Sequence, residues 1–345
     1  MATRLVFVTQ QVDPGHPALA ATVPKIRALA SLVDEVVVLA DGAVEGVLPP
    51  NCRVRLFGAS RRGGRGARFE AALARELRDL RAGAVVAHMC PIYAVLAAPL
   101  VRPLGIPLVL WFNHWKPSRL LRAAERLSTA VVSMDARSFP LSSRKVHAIG
   151  HGIDLGEFPC VAERAAGDGL RLLALGRYSE AKGLDVVIRA VAAFEGARLD
   201  VHGPVLSEGE RSTRSELERL VEQLDVVDRV TVGGAVARSD VPALLAVHDA
   251  LVNNMRAGAA DKVVYEAAAS CLPVLASNPL FDGFLDAEQR FEREDDEALA
   301  DRIRTLAALS AEERAALGAR LRERVRDGHS VESWARGVLE AAGIR

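Results

Sequence analysis

Two cationic side chains, Arg177 and Lys182, stand five residues apart in the segment LLALGRYSEAKGLDVVIRAV. The apolar run before Gly176 predicts a buried strand, and the pattern after Lys182 predicts an amphipathic helix. Both cations then lie outside the carboxyl end of a strand, where α/β sheets bind ligands. A forked guanidinium and a compact ammonium beside a helix N-terminus suit a diphosphate. The alternative is a pair of loop cations in surface ion pairs, for instance with Glu180.

A second pattern, DALVNNMRAGAADKVVYEAAASCLPVLAS, predicts a strand, a loop of small residues and a helix for which Asp261 is the expected N-cap. Lys262 and Glu266 stand one turn apart on that helix. The carboxylate could accept both hydroxyls of a ribose, while the ammonium neutralises phosphate or caps a base. The alternative is an intrahelical ion pair of about 0.2 to 0.5 kcal/mol, for which lysine before glutamate is the poorer orientation.

The elements that must position these residues are short β-branched runs alternating with helical patterns, which is typical of parallel sheets built from βαβ units. The sequence predicts an α/β protein with two doubly wound Rossmann-like domains and a ligand-binding cleft between them. The expected boundaries are 1–155 and 156–328, and residues 329–345 form a last helix that can cross back to the first domain. Predicted strands lie near 5–9, 35–39, 54–57, 84–88, 107–112, 130–133, 145–149, 171–175, 198–202, 230–232, 250–253 and 273–276.

Composition excludes several classes of protein. The 345 residues carry 44 basic and 44 acidic side chains, so no overall field attracts nucleic acid. Only five of the basic residues are lysines, which suggests that each lysine is there for a compact charge. The four cysteines form no CxxC pair, which argues against a zinc site and against a disulfide framework and favours a reducing cytoplasm. We expect neither a signal peptide nor a membrane span.

The segment SRRGGRGAR, residues 60–68, is expected to be a basic, glycine-rich loop before a helix over 69–80. One interpretation is a solvated loop. The other is peripheral contact with a membrane surface or an anionic acceptor, through Arg61, Arg62, Arg65 and Arg68.

Together the two donor-side patterns resemble the retaining glycosyltransferases of family 4, which have the two-domain GT-B fold. The resemblance covers most of the second half and also includes HGID at 151–154 and RVTVGGAVARSDVPALLAVHDALV. It implies that Arg177 and Lys182 bind the diphosphate of a nucleotide-sugar donor and that Glu266 binds its ribose. It implies transfer of a hexose or related sugar to an acceptor hydroxyl with retention. No cofactor is implied beyond the nucleoside diphosphate sugar as co-substrate, and no metal, since no DxD triplet is placed for one.

The resemblance is weaker in the first half. The segment LVLWFNHW places Asn113 and His114 after a buried strand, and the family has a histidine near this point beside the reacting sugar. His114, Arg177 and Lys182 are thus the predicted catalytic residues. Gly15 and His16 match a glycine-bearing loop of the family, so with Asn113 and His114 they form the predicted acceptor side. The acceptor itself, a small molecule, glycan or lipid, is not specified, and a loop histidine without catalytic role remains the alternative for His114.

Two positions depart from the family pattern. The family often has a carboxylate eight residues before the one matched by Glu266, and here that position is Gly258. Candidates to replace it are the backbone N–H groups of Gly258, Ala259 and Ala260, or the side chains of Asn253 and Arg256. The family's glycine after the helix is matched by Cys271, which lacks glycine's freedom to take positive φ, so a differently shaped helix end is expected.

Two other functions stay open: a sugar-nucleotide epimerase of the same fold, and a non-catalytic sugar-nucleotide binding protein, which the missing carboxylate at Gly258 favours. A dinucleotide oxidoreductase is disfavoured, because neither half has GxGxxG after its first strand.

Overall fold

The computed structural model describes residues 3–16, 19–78, 82–161, 164, 167, 169–258 and 261–344. Its contacts divide the chain into two units. The first unit comprises Met1–Asp154 and Gly328–Arg345, and the second comprises Leu155–Asp327. Each unit has its own parallel sheet and hydrophobic core.

The first unit contains a seven-stranded sheet in the order β3-β2-β1-β4-β5-β6-β7, with every paired strand parallel. Valine and leucine on the central strands are fully buried. A strand buried on both faces is a continuous apolar run, so the apolar runs of the sequence predicted these strands correctly. The strands are β1 (Arg4–Val12), β2 (Glu35–Ala43), β3 (Cys52–Leu56), β4 (Ala82–His88), β5 (Leu108–Trp111), β6 (Ala130–Ser133) and β7 (Val146–Ala148).

Five helices pack around this sheet, numbered along the whole chain: α1 (Thr22–Ala30), α2 (Arg62–Leu77), α3 (Pro91–Val101), α4 (Arg119–Leu127) and α11 (Val331–Ala341). The last helix begins after Ser330, whose Oγ accepts the N–H of Ser333 at 3.1 Å. It contacts α1 and β6, and Trp334 lies fully buried with its ring centroid 5.5 Å from that of Trp111. This helix lies within residues 329–345, where the sequence predicts a last helix.

The expected loop over residues 60–68 is wrong, because α2 already begins at Arg62. Arg65 pairs with Asp41 at 3.0 Å, and Arg68 Nη1 donates to the carbonyl of Gly58 at 2.6 Å. Phe69 is buried against the ring of Phe57. These tertiary contacts offset the low helix propensity of the glycines, each of which is less favourable than alanine in a helix by roughly 1 kcal/mol.

The second unit contains a five-stranded parallel sheet in the order β10-β9-β8-β11-β12. The chain starts at the central strand, builds outward on one side and returns to build on the other. The direction therefore reverses between β8 and β11, which is the topological switch point of a doubly wound sheet. The strands are β8 (Leu170–Leu175), β9 (Ala197–His202), β10 (Val230–Val232), β11 (Ala250–Asn253) and β12 (Val274–Ala276).

Six helices belong mainly to the second unit: α5 (Leu184–Ala192), α6 (Glu208–Gln223), α7 (Val241–Ala246), α8 (Lys262–Ala269), α9 (Asp296–Ala308) and α10 (Ala311–Gly328). Their apolar faces pack on the sheet, as Val187, Val221 and Ile303 do. Among the helices that the structure describes, none is long and apolar enough to cross a membrane.

Cysteine chemistry differs from the sequence-based expectation. Cys160 and Cys271 form a disulfide with a Cα–Cα distance of 4.9 Å, while Cys52 and Cys90 are free thiols. The expectation of no disulfide is wrong because the two partners lie 111 residues apart and meet only in the folded second unit.

The expectation of a different helix end at Cys271 is also wrong. Cys271 has φ of +56°, the left-handed conformation that glycine usually supplies. The Leu272 N–H bonds the Ala267 carbonyl at 2.9 Å, and the Cys271 N–H bonds the Ala268 carbonyl at 3.1 Å, which is the Schellman pattern. α8 therefore ends as it would with a glycine.

Candidate active site

Lys182 lies at the switch point of the second unit, in a short 3-10 turn over Glu180–Lys182 that follows β8. Its ammonium contacts the carboxylate of Asp261, which is also held by Asn253 Nδ2 at 2.9 Å. Only 13% of the Lys182 side chain is exposed. It folds over Gly176, where an added Cβ would lie 2.4 Å from Lys182 Nζ. Glycine at 176 therefore makes room for the ammonium.

Asp261 precedes α8, as expected, but its side chain makes no hydrogen bond to the helix N-terminus. The carboxylate instead reaches across to Lys182 from the loop that follows β11. It joins the two strand-to-helix loops on either side of the switch point.

Arg177 follows β8 directly and is 58% exposed. Its Nη1 lies 3.3 Å from Glu210 Oε1, so its partner is Glu210 and not the neighbouring Glu180. Glu210 is fixed at the start of α6, where its Oε2 accepts the Leu206 N–H at 2.6 Å. Ser207 completes this helix start by accepting the Glu210 N–H at 3.2 Å. The Arg177 side chain is thus accessible to a ligand, and its carboxylate partner, Glu210, is held in place at the start of α6.

Glu266 on α8 is almost fully buried, with 5% of its side chain exposed. Lys262 Nζ lies 2.7 Å from Oε1, and Arg238 Nη1 donates to the same oxygen at 2.6 Å. Burial by itself would raise the pKa of this carboxyl, but Lys262 and Arg238 outweigh burial and lower the pKa below its usual value. The buried side chain is therefore a carboxylate at neutral pH.

The loop between β11 and α8 is held by backbone contacts at its described positions. The Arg256 N–H bonds the Ala181 carbonyl at 2.9 Å, which ties this loop to the turn that carries Lys182. Gly258 has φ of +91° with no heavy atom within 4 Å of an added Cβ. A larger residue there would meet backbone strain rather than a clash. Ala259 and Ala260 lie outside the described residues.

The predicted acceptor-side residues all lie in the first unit. His114 is exposed, its Nδ1 accepts the Lys116 N–H at 3.0 Å, and its ring stacks on Trp115 with centroids 5.8 Å apart. Asn113 Nδ2 lies 3.4 Å from His151 Nε2.

The other predicted pair on the acceptor side occupies the loop after β1. The Gly15 N–H donates to Asp13 Oδ1 at 2.8 Å, and His16 Nδ1 accepts the Leu19 N–H at 3.0 Å. Both residues are therefore fixed by contacts within their own loop.

The geometry allows anion binding at the carboxyl edge of the second sheet. Lys182, Arg177, Lys262 and Arg238 supply positive charge, and each is paired with a protein carboxylate. An incoming diphosphate would compete with these carboxylates for three or more charge-assisted donors. In the described part of the chain, no three His, Cys, Asp or Glu side chains are grouped as a metal site requires.

Sequence reasoning missed three residues that build this site: Asp261 as a lysine partner, Glu210 and Arg238. Arg238 lies in the loop region after β10, at the same sheet edge as the predicted residues. A polar residue following a strand at that edge was the available signal. Its contact with Glu266, 28 residues away, appears only in the fold.

Comparison with known proteins agrees with this architecture. A glycosyltransferase from Rickettsia africae superposes with a TM-score of 0.76 at 13% identity, covering 99% of this chain and 98% of that one. Sucrose-phosphate synthase from Thermosynechococcus elongatus gives 0.72 at 16% identity, covering 98% and 97%. Anabaena HepE, in a complex with UDP and glucose, gives 0.72 at 16% identity, covering 98% and 99%.

These similarities show the fold, which is GT-B. No curated protein matches the sequence. Residues 162–324 match the family model described as glycosyl transferases group 1. That match spans nearly the whole second unit, including Arg177, Lys182, Arg238 and Glu266. The second unit is therefore similar to glycosyl transferases group 1 over nearly its whole length.

Proposed function

We propose that this chain is a glycosyltransferase that moves a hexose or related sugar from a nucleoside diphosphate sugar to an acceptor hydroxyl, with retention of anomeric configuration. The observation that carries the proposal is the pair of charge clusters around Lys182 and Glu266. They flank the β8/β11 switch point within the segment that matches glycosyl transferases group 1.

The diphosphate is assigned to Lys182 and Arg177. A lysine ammonium has three donors, so Lys182 can keep Asp261 while donating to a phosphate oxygen. Arg177 can turn its exposed fork from Glu210 toward a second phosphate. Negative charge grows on the diphosphate as it leaves, so cations that contact the phosphates stabilise the transition state more than the ground state.

The ribose is assigned to Glu266. Lys262 and Arg238 both contact Oε1, so the second carboxylate oxygen, Oε2, is the one assigned to the ligand. A carboxylate accepts hydrogen bonds only, so paired hydroxyls are fitting partners. Lys262, one turn nearer the helix N-terminus, is positioned to neutralise phosphate.

The chemical step requires the acceptor oxygen to bond the anomeric carbon on the face from which the diphosphate departs. The bond from that carbon to the phosphate oxygen breaks, its electron pair stays with the phosphate, and this oxygen takes the acceptor's proton. The co-substrate thus supplies its own base, and the proposal includes no cofactor. His114, with Asn113, Gly15 and His16, is assigned to the acceptor, which we propose binds at these residues of the first unit.

Location is part of the proposal: the cytoplasm, with peripheral membrane contact through the start of α2. Arg61 and Arg62 are exposed there, whereas Arg65 and Arg68 are bound to Asp41 and Gly58. Sedimentation with anionic and neutral vesicles tests the contact, and equal binding of wild type and the R61Q/R62Q variant would contradict it.

The decisive experiment for the function is a thermal-shift panel of UDP, GDP, ADP and TDP, with their glucose and related sugar conjugates, followed by product analysis with and without candidate acceptors. We expect one base to stabilise the protein and sugar transfer to require an acceptor. Conversion of the donor sugar without an acceptor would identify an epimerase. Binding without turnover in any acceptor screen would favour a non-catalytic binding protein, which the absence of a carboxylate at Gly258 supports.

The His114→Ala variant completes this test. We expect turnover to fall while nucleoside diphosphate affinity stays unchanged, because the affinity is assigned to the second unit. Unchanged turnover would return His114 to a structural role in its loop.

A further inference from the structure

Arg238 links two carboxylates in the second unit. Its Nη1 donates to Glu266 Oε1 at 2.6 Å, and its Nη2 donates to Glu157 Oε2 at 3.1 Å. It comes from the 3-10 turn before α7, whereas Glu266 lies on α8 and Glu157 lies near the start of the unit. One guanidinium therefore joins three separate pieces of chain.

The guanidinium is itself held in place. Its central carbon lies 5.0 Å from the ring centroid of Phe158, which is buried, and 28% of the Arg238 side chain is exposed. The Phe158 carbonyl accepts Arg322 Nη1 at 2.6 Å, and the nearby Cys160 is disulfide-bonded to Cys271 beyond α8. A ring face, a carboxylate and an anchored backbone thus fix its position.

Lys262 alone would hold Glu266 less firmly. It lies on the same helix, so its contact fixes nothing relative to other elements, and a lysine ammonium rotates on a flexible stem. Arg238 approaches from another element with a planar donor, which fixes both the position and the rotation of the carboxylate. Both donors reach Oε1, and among the described residues no donor reaches Oε2.

We propose that Arg238 is a positioning residue for Glu266, and that it presents Oε2 to the ribose hydroxyls of the bound nucleotide. This inference rests on the proposed function, because it takes Glu266 as the ribose-binding carboxylate. It adds that ribose recognition depends on Arg238, which acts through Glu266 and to which the proposal assigns no contact with the ribose.

The test is discrimination between a ribonucleotide and its deoxy counterpart. UDP, GDP and ADP are titrated calorimetrically against wild type, R238Q and R238K, each beside its 2′-deoxy form. A hydrogen bond to a charged group corresponds to about 10-fold or more in affinity, so wild type should prefer the ribose form by about 10-fold. We expect R238Q to reduce this preference to about 3-fold or less, because the ribose form loses more affinity than the 2′-deoxy form, which offers Glu266 only its 3′ hydroxyl.

Lysine at 238 keeps the charge but has no planar fork to bridge Glu157 and Glu266. R238K should therefore restore only part of the preference. The donor KM should rise in R238Q with kcat little changed, because ribose contacts are equal in ground and transition states.

R214Q is the matched control. Arg214 also pairs with a carboxylate, Glu218 at 3.0 Å, lies 5.6 Å from the Tyr178 ring centroid and is 33% exposed. It should keep the wild-type preference for the ribose form. Should R238Q not fold, E157Q gives the answer, because it removes the far anchor of Arg238 and leaves Glu266 intact. It should lower the preference by less than R238Q.

The outcomes separate the inference from the proposed function. Full ribose preference in folded R238Q, or in E157Q where R238Q does not fold, overturns the role of Arg238 and leaves the function standing. If wild type binds the ribose and deoxyribose forms equally, the ribose assignment of Glu266 and the role of Arg238 both fall, while sugar transfer is still decided by product analysis. If wild type binds no nucleoside diphosphate at all, the proposed function falls as well.

Discussion

Glu266 is the residue whose removal most directly tests the donor site. Glu266→Gln keeps the shape of the side chain but replaces the carboxylate that Lys262 and Arg238 hold. We expect nucleoside diphosphate binding to weaken by about 1.5 to 3 kcal/mol, the range for hydrogen bonds to a charged group. Calorimetric titration measures this change.

The same variant should also lower the free energy of unfolding, because it leaves two cations with a poorer partner in a buried setting. Glu218→Gln, which removes the partner of Arg214 on the surface of α6, is the control and should change both quantities little. Equal nucleotide affinity in wild type and Glu266→Gln would contradict the ribose assignment.

Lys182 and Arg177 carry the same predicted role in different environments. Lys182 is largely enclosed and contacts Asp261, while Arg177 is mostly exposed. Since a fixed donor in a water-poor site stabilises developing charge best, we expect Lys182→Ala to lower the rate of sugar transfer by about 10²-fold or more and Arg177→Ala by less.

The measurement is initial velocity at saturating donor, with nucleoside monophosphate and diphosphate affinities measured in parallel. Wild type should bind the diphosphate more tightly than the monophosphate. Equal affinity for both would mean that these cations do not hold a second phosphate.

The sequence predicted these residues because each follows a recognisable strand. Arg177 and Lys182 come after β8, and Glu266 follows β11, so the period of the hydrophobic pattern was sufficient to place them at one sheet edge. Their partners were not predictable in the same way. Arg238 and Glu266 are 28 residues apart in the chain, and the direction of each side chain depends on packing among several elements.

At the scale of elements, all twelve strands that the structure describes were predicted. The central strands are buried and read as continuous apolar runs, whereas an edge strand such as β3 alternates apolar and polar residues. Element ends were harder. The start of α2 was missed because its glycines and arginines read as a loop, and the contacts of Arg65 and Arg68 that hold it as helix are tertiary. Local propensity is overridden there by packing.

The packing of α10 against the end of α8 gives a prediction at this scale. An added Cβ at Gly318 would lie 2.0 Å from the Cys271 carbonyl oxygen, which is backbone and cannot turn away. Gly318→Ala must therefore push α10 away from α8, although alanine is the better helix former. We expect a loss of about 1 to 3 kcal/mol in the free energy of unfolding, the usual range for overpacking.

Gly63→Ala in α2 is the matched control, because Gly63 is also helical and an added Cβ there meets nothing within 4 Å. It should be neutral or stabilise by about 0.4 to 1 kcal/mol. Urea unfolding of both variants measures the difference. Equal effects of the two substitutions would show that α10 does not approach Cys271 so closely.

For the whole molecule, the disulfide is the feature that amino-acid composition failed to predict. Scattered cysteines without CxxC spacing predicted free thiols in a reducing compartment, yet Cys160 and Cys271 meet across the second unit. Structural disulfides are rare in reducing cytosol. The count of free thiols in protein isolated from its source cells under alkylating conditions therefore bears directly on the proposed cytoplasmic location.

The disulfide also sets an expectation for stability that involves one unit only. It closes a loop between residues 111 apart, and such a cross-link restricts the unfolded chain, so its loss should lower the free energy of unfolding by about 2 to 4 kcal/mol. The C160S/C271S variant and reduced wild type should both melt earlier than oxidised wild type. Reductant should not change the melting of the variant, and C52S, which removes a free thiol, should keep the response of wild type to reductant.

Thiol titration in denaturant establishes the starting redox state. Of the four cysteines, two reactive thiols are expected before reduction and four after it. Four thiols without reductant would mean that the disulfide is not formed in the protein. Identical melting of the oxidised and reduced protein would mean that the disulfide does not stabilise the second unit.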